Sequence, residues 1–231
     1  MTKSFSRTSV DLFCECPRCF YLSQCKGIKR PPGYPFTLNG AVDKLAKAEF
    51  DALRKTQTPH PIMKPLGLVP LKHSDIDMWR NNRKGIQYMY NGFLFYGAID
   101  DVWQQTTEPG LWHVVDYKAT AKKDAVTTLD PKAAHHVSYQ RQISFYTWLF
   151  AQNSHPVSKT AYFYYATGDN TLPSFGATLH FRTHLIAYEC DFSWIEPTLD
   201  ALIACYNGEE IPEPSEKCAH CKYVASNILL Q

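Results

Sequence analysis

The stretch FLFYGAIDDVWQQTTEPGLWHVVDYKA, residues 93–119, decides the fold. It holds two runs rich in aromatic and β-branched residues, Phe93 to Gln104 and Trp112 to Ala119. Such runs read as strands. Glu108-Pro109-Gly110 between them carries turn chemistry, so the two runs are predicted to pair as a β-hairpin. Phe93-Leu94-Phe95 ahead of Asp100, and Val114-Val115 ahead of Asp116, mark both arms as buried. A carboxylate at the end of a buried strand needs a partner, because burying it alone is costly. Side chains alternate along a strand, so Asp116 and Lys118 share one face while Tyr117 points to the other. Asp100 can approach the same spot from the neighbouring arm. Two aspartates and the carbonyl of Tyr117 are hard oxygen donors that suit Mg²⁺ or Mn²⁺. Lys118 beside such an ion would orient or help deprotonate a water and stabilise charge on a phosphate. Alone, an Asp-x-Lys tripeptide reads first as a surface ion pair of small energetic weight, and it is the buried flanks of both strands that turn the reading towards a metal or a buried ion pair.

Working outward, Ser4 to Leu22 reads as a helix interrupted by Pro17, with Ser9 as its N-cap. Residues 26–36, with Pro31, Pro32, Gly33 and Pro35, form a rigid extended linker. Leu38, Val42, Leu45, Ala46, Glu49 and Leu53 follow helical spacing, which predicts a long helix over Thr37 to Lys55. The proline-rich residues 57–70 read as a loop. Beyond the hairpin, a helix is expected from Ala133 to Gln152. Strands are expected at Thr160 to Thr167 and Ala177 to Cys190, and a last helix at Phe192 to Tyr206. This order argues for an α/β fold, a mixed central sheet flanked by helices.

Taken together, Gly97-Ala98-Ile99-Asp100, then Val115-Asp116-Tyr117-Lys118, then Gln142-Ile143-Ser144-Phe145-Tyr146 resembles the PD-(D/E)XK nuclease superfamily, whose core is restriction-endonuclease-like. The likeness is greatest to its RecB-like branch, which includes nucleases of recombination-repair helicases and of CRISPR spacer acquisition. The resemblance implies that Asp100 and Asp116 bind metal, that Lys118 acts in catalysis, and that Gln142 and Tyr146 form a helix motif on the substrate side. Positions i and i+4 do lie on one helix face, as they would in a half-buried helix of no special role. That branch usually has a His after a Gly on the helix before the strands. Here the matching stretch is Gly40-Ala41-Val42-Asp43. Asp43 would be an oxygen ligand to the metal, or would pair with Lys47 one turn on.

Cys16-Pro17-Arg18-Cys19 and Cys218-Ala219-His220-Cys221 are two CxxC knuckles about two hundred residues apart, the signal of a four-thiolate metal site. Cys14 is a possible substitute ligand, while Cys25, Cys190 and Cys205 read as small core residues. Two knuckles suit structural Zn²⁺. The resembling nucleases instead place one Cys near the N-terminus, in a Cys-Pro-Arg-x-Phe-Tyr-Leu setting, and three at the C-terminal end around a [4Fe–4S] cluster. Residues 16–22 match that setting, but no cysteine follows Cys221. Four thiolates serve Zn²⁺ or [4Fe–4S]. The whole chain, 1–231, then reads as one nuclease-like domain, with 1–36 and 207–231 forming a Cys-metal closure around a catalytic core at 37–206.

The 231 residues are 45% hydrophobic and 20% charged, the composition of a globular protein, and the formal net charge of +2 is too small to indicate nucleic-acid binding by bulk charge. Phosphate contacts would have to be local: Lys29 and Arg30, the Arg80-to-Lys84 cluster, or Lys122 and Lys123. Trp79, Tyr88, Tyr90 and Tyr139 could stack unpaired bases or simply pack. His135 and His136 diverge by about 100° on a helix and read as surface or phosphate contacts rather than a metal pair. The polar N-terminus lacks a signal-peptide core and no stretch approaches about 20 apolar residues, so the expected location is cytoplasmic, away from membranes. The resulting expectation is a metal-dependent deoxyribonuclease, an exonuclease acting on single- or double-stranded DNA ends, with a protein partner in recombination, repair or CRISPR adaptation. Two rivals stand beside it. One is a catalytically silent DNA-binding or scaffold module with the same fold. The other is a zinc-ribbon interaction protein in which Asp100 and Asp116 lie far apart.

Overall fold

The computed structural model describes residues 2–33 and 37–228. Part of the expected linker, 34–36, lies outside the described residues. The chain runs β1 (Ser4–Ser6), α1 (Arg7–Glu15), α2 (Pro17–Cys25), α3 (Thr37–Thr56), a 3-10 turn (Lys64–Leu66) and β2 (Leu68–Pro70). It continues with α4 (Ile76–Trp79), β3 (Ile86–Tyr90), β4 (Phe93–Gly97), β5 (Asp101–Gln105), β6 (Trp112–Lys122) and α5 (Ala134–Gln152). Then come β7 (Thr160–Asp169), β8 (Phe181–Glu189), α6 (Ile195–Asn207) and α7 (Ala219–Ile228). The chain divides into two compact units: Met1–Tyr34 with Met89–Phe95 and Phe192–Gln231, and Pro35–Tyr88 with Tyr96–Asp191.

The second unit holds a five-stranded mixed sheet, β2-β5-β6-β7-β8, in which only β6 and β7 run parallel. The alternation of β6 sets the two faces. Val115 and Tyr117 face α3 and join a core with Phe50, Met63, Leu68, Trp103 and Tyr164. Lys118 faces α5 instead. Phe50 is fully buried, and its ring contacts those of Trp103, Tyr117 and Tyr164 at centroid distances of 5.0–5.5 Å. α3 thereby lies across the sheet, as its 3.6-residue apolar period requires.

The expected single strand over 93–104 is instead two. β4 ends at Gly97, residues 98–100 leave the ladder, and β5 begins at Asp101. β4 belongs to a three-stranded sheet, β1-β4-β3, and β5 to the five-stranded one. β3 and β4 turn at Asn91-Gly92, both with positive φ (46° and 82°), the requirement of a two-residue primed turn. β5 and β6 do form the expected antiparallel hairpin, with Asp101 opposite Val115.

The first unit holds α1, α2, α6 and α7, of which α1, α2 and α6 pack on one another. Its opening helix is capped by Ser6, whose hydroxyl accepts the Ser9 backbone N–H at 3.2 Å. Ser9 is therefore inside the first turn rather than its cap. Pro17 does not kink one long helix but starts α2 at its first position, where its missing N–H costs nothing.

Candidate active site

The register of β5 against β6 puts Asp100 beside Asp116, just where β5 begins. The Asp100 carboxylate accepts the Tyr117 backbone N–H at 2.9 Å and the Lys47 ammonium at 2.8 Å. Lys47, on α3, also donates to Asp43 one turn earlier at 2.9 Å. Burial alone would lower the Lys47 pKa, but the charge of Asp100 and the bonds to both carboxylates outweigh it and hold the ammonium above its ordinary value.

Asp116 is fully buried, and the Lys118 ammonium is paired closely with it. Lys118 also donates to Gln142 Oε1 at 3.3 Å, and its Nζ sits 4.3 Å from the centre of the Tyr139 ring. Burial pushes the Lys118 pKa down, yet the charges of Asp116 and Asp100 push harder in the other direction, so it stays an ammonium. Gln142 in turn donates to the Tyr146 hydroxyl at 3.3 Å, one turn along α5. The Tyr146 ring lies so close to Gly97 that a Cβ there would stand 2.3 Å from it. Glycine is thus needed where β4 meets α5.

Asp43, Lys47, Asp100, Lys118, Tyr139 and Gln142 all line one cleft of about 430 Å³ in the second unit. Asp116 and Tyr146 support it from beneath, through Lys118 and Gln142. The Tyr117 side chain points to the opposite face, its hydroxyl donating to Asp101 at 2.7 Å. Among the described residues, Asp43, Asp100 and Asp116 do not close into a three-carboxylate cluster; each is held by a lysine. The donor set nevertheless fits a hard cation. Lys47 Nζ shows that the gap between Asp43 and Asp100 accepts a positive charge.

Asp101, one residue from Asp100, escaped the sequence reading. It has no exposed surface and is ion-paired to Arg54 at 2.5 Å and Arg80 at 3.0 Å. The Tyr117 hydroxyl and the Trp103 indole complete its shell. Arg80 also grips Asp51 at 2.7 Å and the Asp100 carbonyl at 2.8 Å. It is thus a framework residue rather than a phosphate contact. Arg30 is likewise engaged, with Glu15 at 2.6 Å and the Cys218 sulfur at 3.5 Å. Lys122, Lys123, Arg83 and Lys84 are exposed. Trp79 is buried, while Tyr139 lines the cleft. His136 is buried and accepts the Asp130 backbone N–H, leaving only His135 at the surface.

In the first unit, the sulfurs of Cys16, Cys19, Cys218 and Cys221 lie within 4.8 Å of one another and join the N- and C-terminal segments. Cys16 opens α2 and Cys218 immediately precedes α7, so both knuckles wrap a helix N-terminus, where the backbone N–H groups and dipole favour thiolates. Burial raises the Cys16 thiol, but hydrogen bonds from the backbone of Ser215 and Cys19 prevail and bring it down to about 6. Cys14 is not in the cluster. Cys190 is buried beside Thr147, and Cys25 contacts the Tyr206 carbonyl.

A family model described as the PD-(D/E)XK nuclease superfamily matches residues 37–226. No curated protein matches the chain. A solved structure titled "Crystal structure of SSO0001" aligns over 90% of this chain and 79% of its own, at 14% identity and a TM-score of 0.37.

Proposed function

Because the chain belongs to the PD-(D/E)XK nuclease superfamily, generally metal-dependent nucleases, we propose that it is a Mg²⁺- or Mn²⁺-dependent deoxyribonuclease of the RecB-like branch. The observation that carries the reading is the convergence of Asp43, Asp100 and Lys118 on one cleft, with Asp116 directly behind Lys118. Asp100, Asp116, Asp43 and the Tyr117 carbonyl would hold the ion. When bound, it supplies Lewis-acid polarisation of a phosphate and a more acidic water. Lys118 is held protonated by its acidic neighbours, so it serves as a fixed positive charge and hydrogen-bond donor to a phosphate oxygen, not as a base. Gln142 and the Tyr139 ring fix the direction of that ammonium. Tyr146 holds Gln142 in turn. The branch assignment rests on this Gln142/Tyr146 pair standing next to the lysine.

The substrate is DNA, single- or double-stranded, attacked from its ends in recombination, repair or CRISPR adaptation beside a protein partner. The location is cytoplasmic, in keeping with eight cysteines free of disulfides. Among the described residues no helix is long and apolar enough to cross a membrane.

The test is digestion of end-labelled linear and closed circular DNA with either metal. Wild type should degrade linear DNA, and Asp116→Asn and Lys118→Ala should each lose at least a hundredfold in rate while keeping the native circular dichroism. Undiminished metal-dependent cutting by both variants would remove the assignment. DNA binding by wild type without cutting would favour the silent module. Equal attack on closed circles would make the enzyme an endonuclease.

A further inference from the structure

We infer that the four-cysteine site holds a single tetrahedral Zn²⁺ and not the [4Fe–4S] cluster that the resemblance implies. The inference rests on the reading that these thiolates ligate metal at all. Its evidence is the size of the sulfur cage. Cys16 and Cys221 sulfurs are 3.8 Å apart, and Cys19 lies 3.6 Å from both Cys218 and Cys221. A tetrahedron with Zn–S bonds of about 2.3 Å has edges of roughly 3.8 Å. These three distances match that edge, and they are far too long for sulfur–sulfur bonds.

A cubane cluster needs a much wider cage. Each of its four irons sits at a different corner and carries one outward thiolate, which sets the cysteine sulfurs roughly 6 Å apart. Opening the cage by that much would mean moving both knuckles. These are held as helix starts, with the Phe20 N–H on the Cys16 carbonyl at 3.1 Å and the Lys222 N–H on the Cys218 carbonyl at 3.0 Å. Cys16, Cys19 and Cys218 are also buried, with Leu12 packed against them, while a cavity of about 390 Å³ opens on the Cys19, Arg30 and Cys221 side.

The partition of ligands is a separate argument. Each chain end contributes two cysteines at the start of one helix, an equal 2+2 arrangement of the kind that structural zinc sites use. Arg30, whose guanidinium reaches the Cys218 sulfur at 3.5 Å, offsets part of the double negative charge of four thiolates on one Zn²⁺.

The experiment is metal and sulfide analysis of the full chain purified without oxygen from cells supplied with both iron and zinc. The expected result is one zinc per chain, no acid-labile sulfide and a colourless sample. Replacement by Co²⁺ should then give one cobalt per chain with the intense visible bands of a tetrahedral thiolate site. About four irons and four sulfides per chain, with a brown colour, would overturn the inference while leaving the metal-ligand reading intact. No bound metal, with all four thiols reacting freely in the folded protein, would remove both.

Discussion

Asp100 and Asp101 sit side by side in the chain in opposite surroundings. Asp100 lines the cleft, whereas Asp101 is sealed inside a shell of two arginines, a tyrosine and a tryptophan. Removing one partner of a buried charge pair leaves the other uncompensated, at a cost of about 3–5 kcal/mol. Asp101→Asn should therefore lower unfolding free energy by that amount, read by urea titration. Asp100→Asn keeps the backbone hydrogen bond from Tyr117 and weakens a partly exposed pair with Lys47, so it should cost about 1 kcal/mol while abolishing DNA cleavage. If both variants lose stability equally, the division of labour is wrong. In the sequence the two residues look interchangeable. What separates them is Arg54 and Arg80, which reach Asp101 from α3 and from the end of α4, and no local pattern announces such long-range pairs.

Lys118 yields a pH prediction of definite sign. Its folded pKa is raised above the ordinary lysine value near 10.5, so its favourable charge is fully present below that pH and is lost as pH climbs through the folded value. Wild type should thus lose stability in strongly alkaline buffer more steeply than Lys118→Met, measured by thermal unfolding across that range. Parallel alkaline limbs would show that the pairing with Asp116 contributes nothing.

At the scale of elements, the long helices were legible because each carries enough turns for a period to show. α3 and α5 fall within about a residue of their predicted limits, inside the usual uncertainty of helix ends. The strands were harder. Phe93 to Gln104 reads as one run because aromatic and β-branched residues stand on both sides of Asp100-Asp101 and no proline breaks it, yet the chain changes sheets at residues 98–100. The contact there is tertiary: the Tyr146 ring lies against Gly97 at the end of β4 and leaves no room for a side chain. The β3–β4 hairpin does have a local signal, Asn91-Gly92 between strand-forming residues. β2 is hidden in a proline-rich segment and exists because it pairs with β5. Gly97→Ala tests the packing account directly. Its Cβ would meet the Tyr146 ring, so it should cost about 1–3 kcal/mol and disturb the Gln142–Tyr146 bond, lowering cleavage as well as stability. A Gly97→Ala protein as stable and active as wild type would mean that the ring can move aside freely.

At the scale of the whole chain, the cysteine cage connects positions 199 apart, Cys19 and Cys218. By chain entropy a cross-link closing so long a loop is worth about 5 kcal/mol. That stabilisation belongs to a unit assembled from distant pieces of chain: Met1–Tyr34, Met89–Phe95 and Phe192–Gln231. The other unit has its own core around Phe50, Trp103 and Tyr117 and needs no metal to bury it. Stripping the cysteine site with a strong chelator should therefore act unevenly. Amide hydrogen exchange in α1, α2, α6 and α7 should accelerate by two orders of magnitude or more, since each 1.4 kcal/mol of lost stability is tenfold in opening. Exchange in α3, α5 and the five-stranded sheet should stay close to that of the metal-loaded protein. Uniform acceleration along the chain would mean that the two units open as one cooperative body. No acceleration anywhere would mean that helix packing alone, led by the rings of Phe5, Phe20, Phe93 and Tyr206, holds the first unit together.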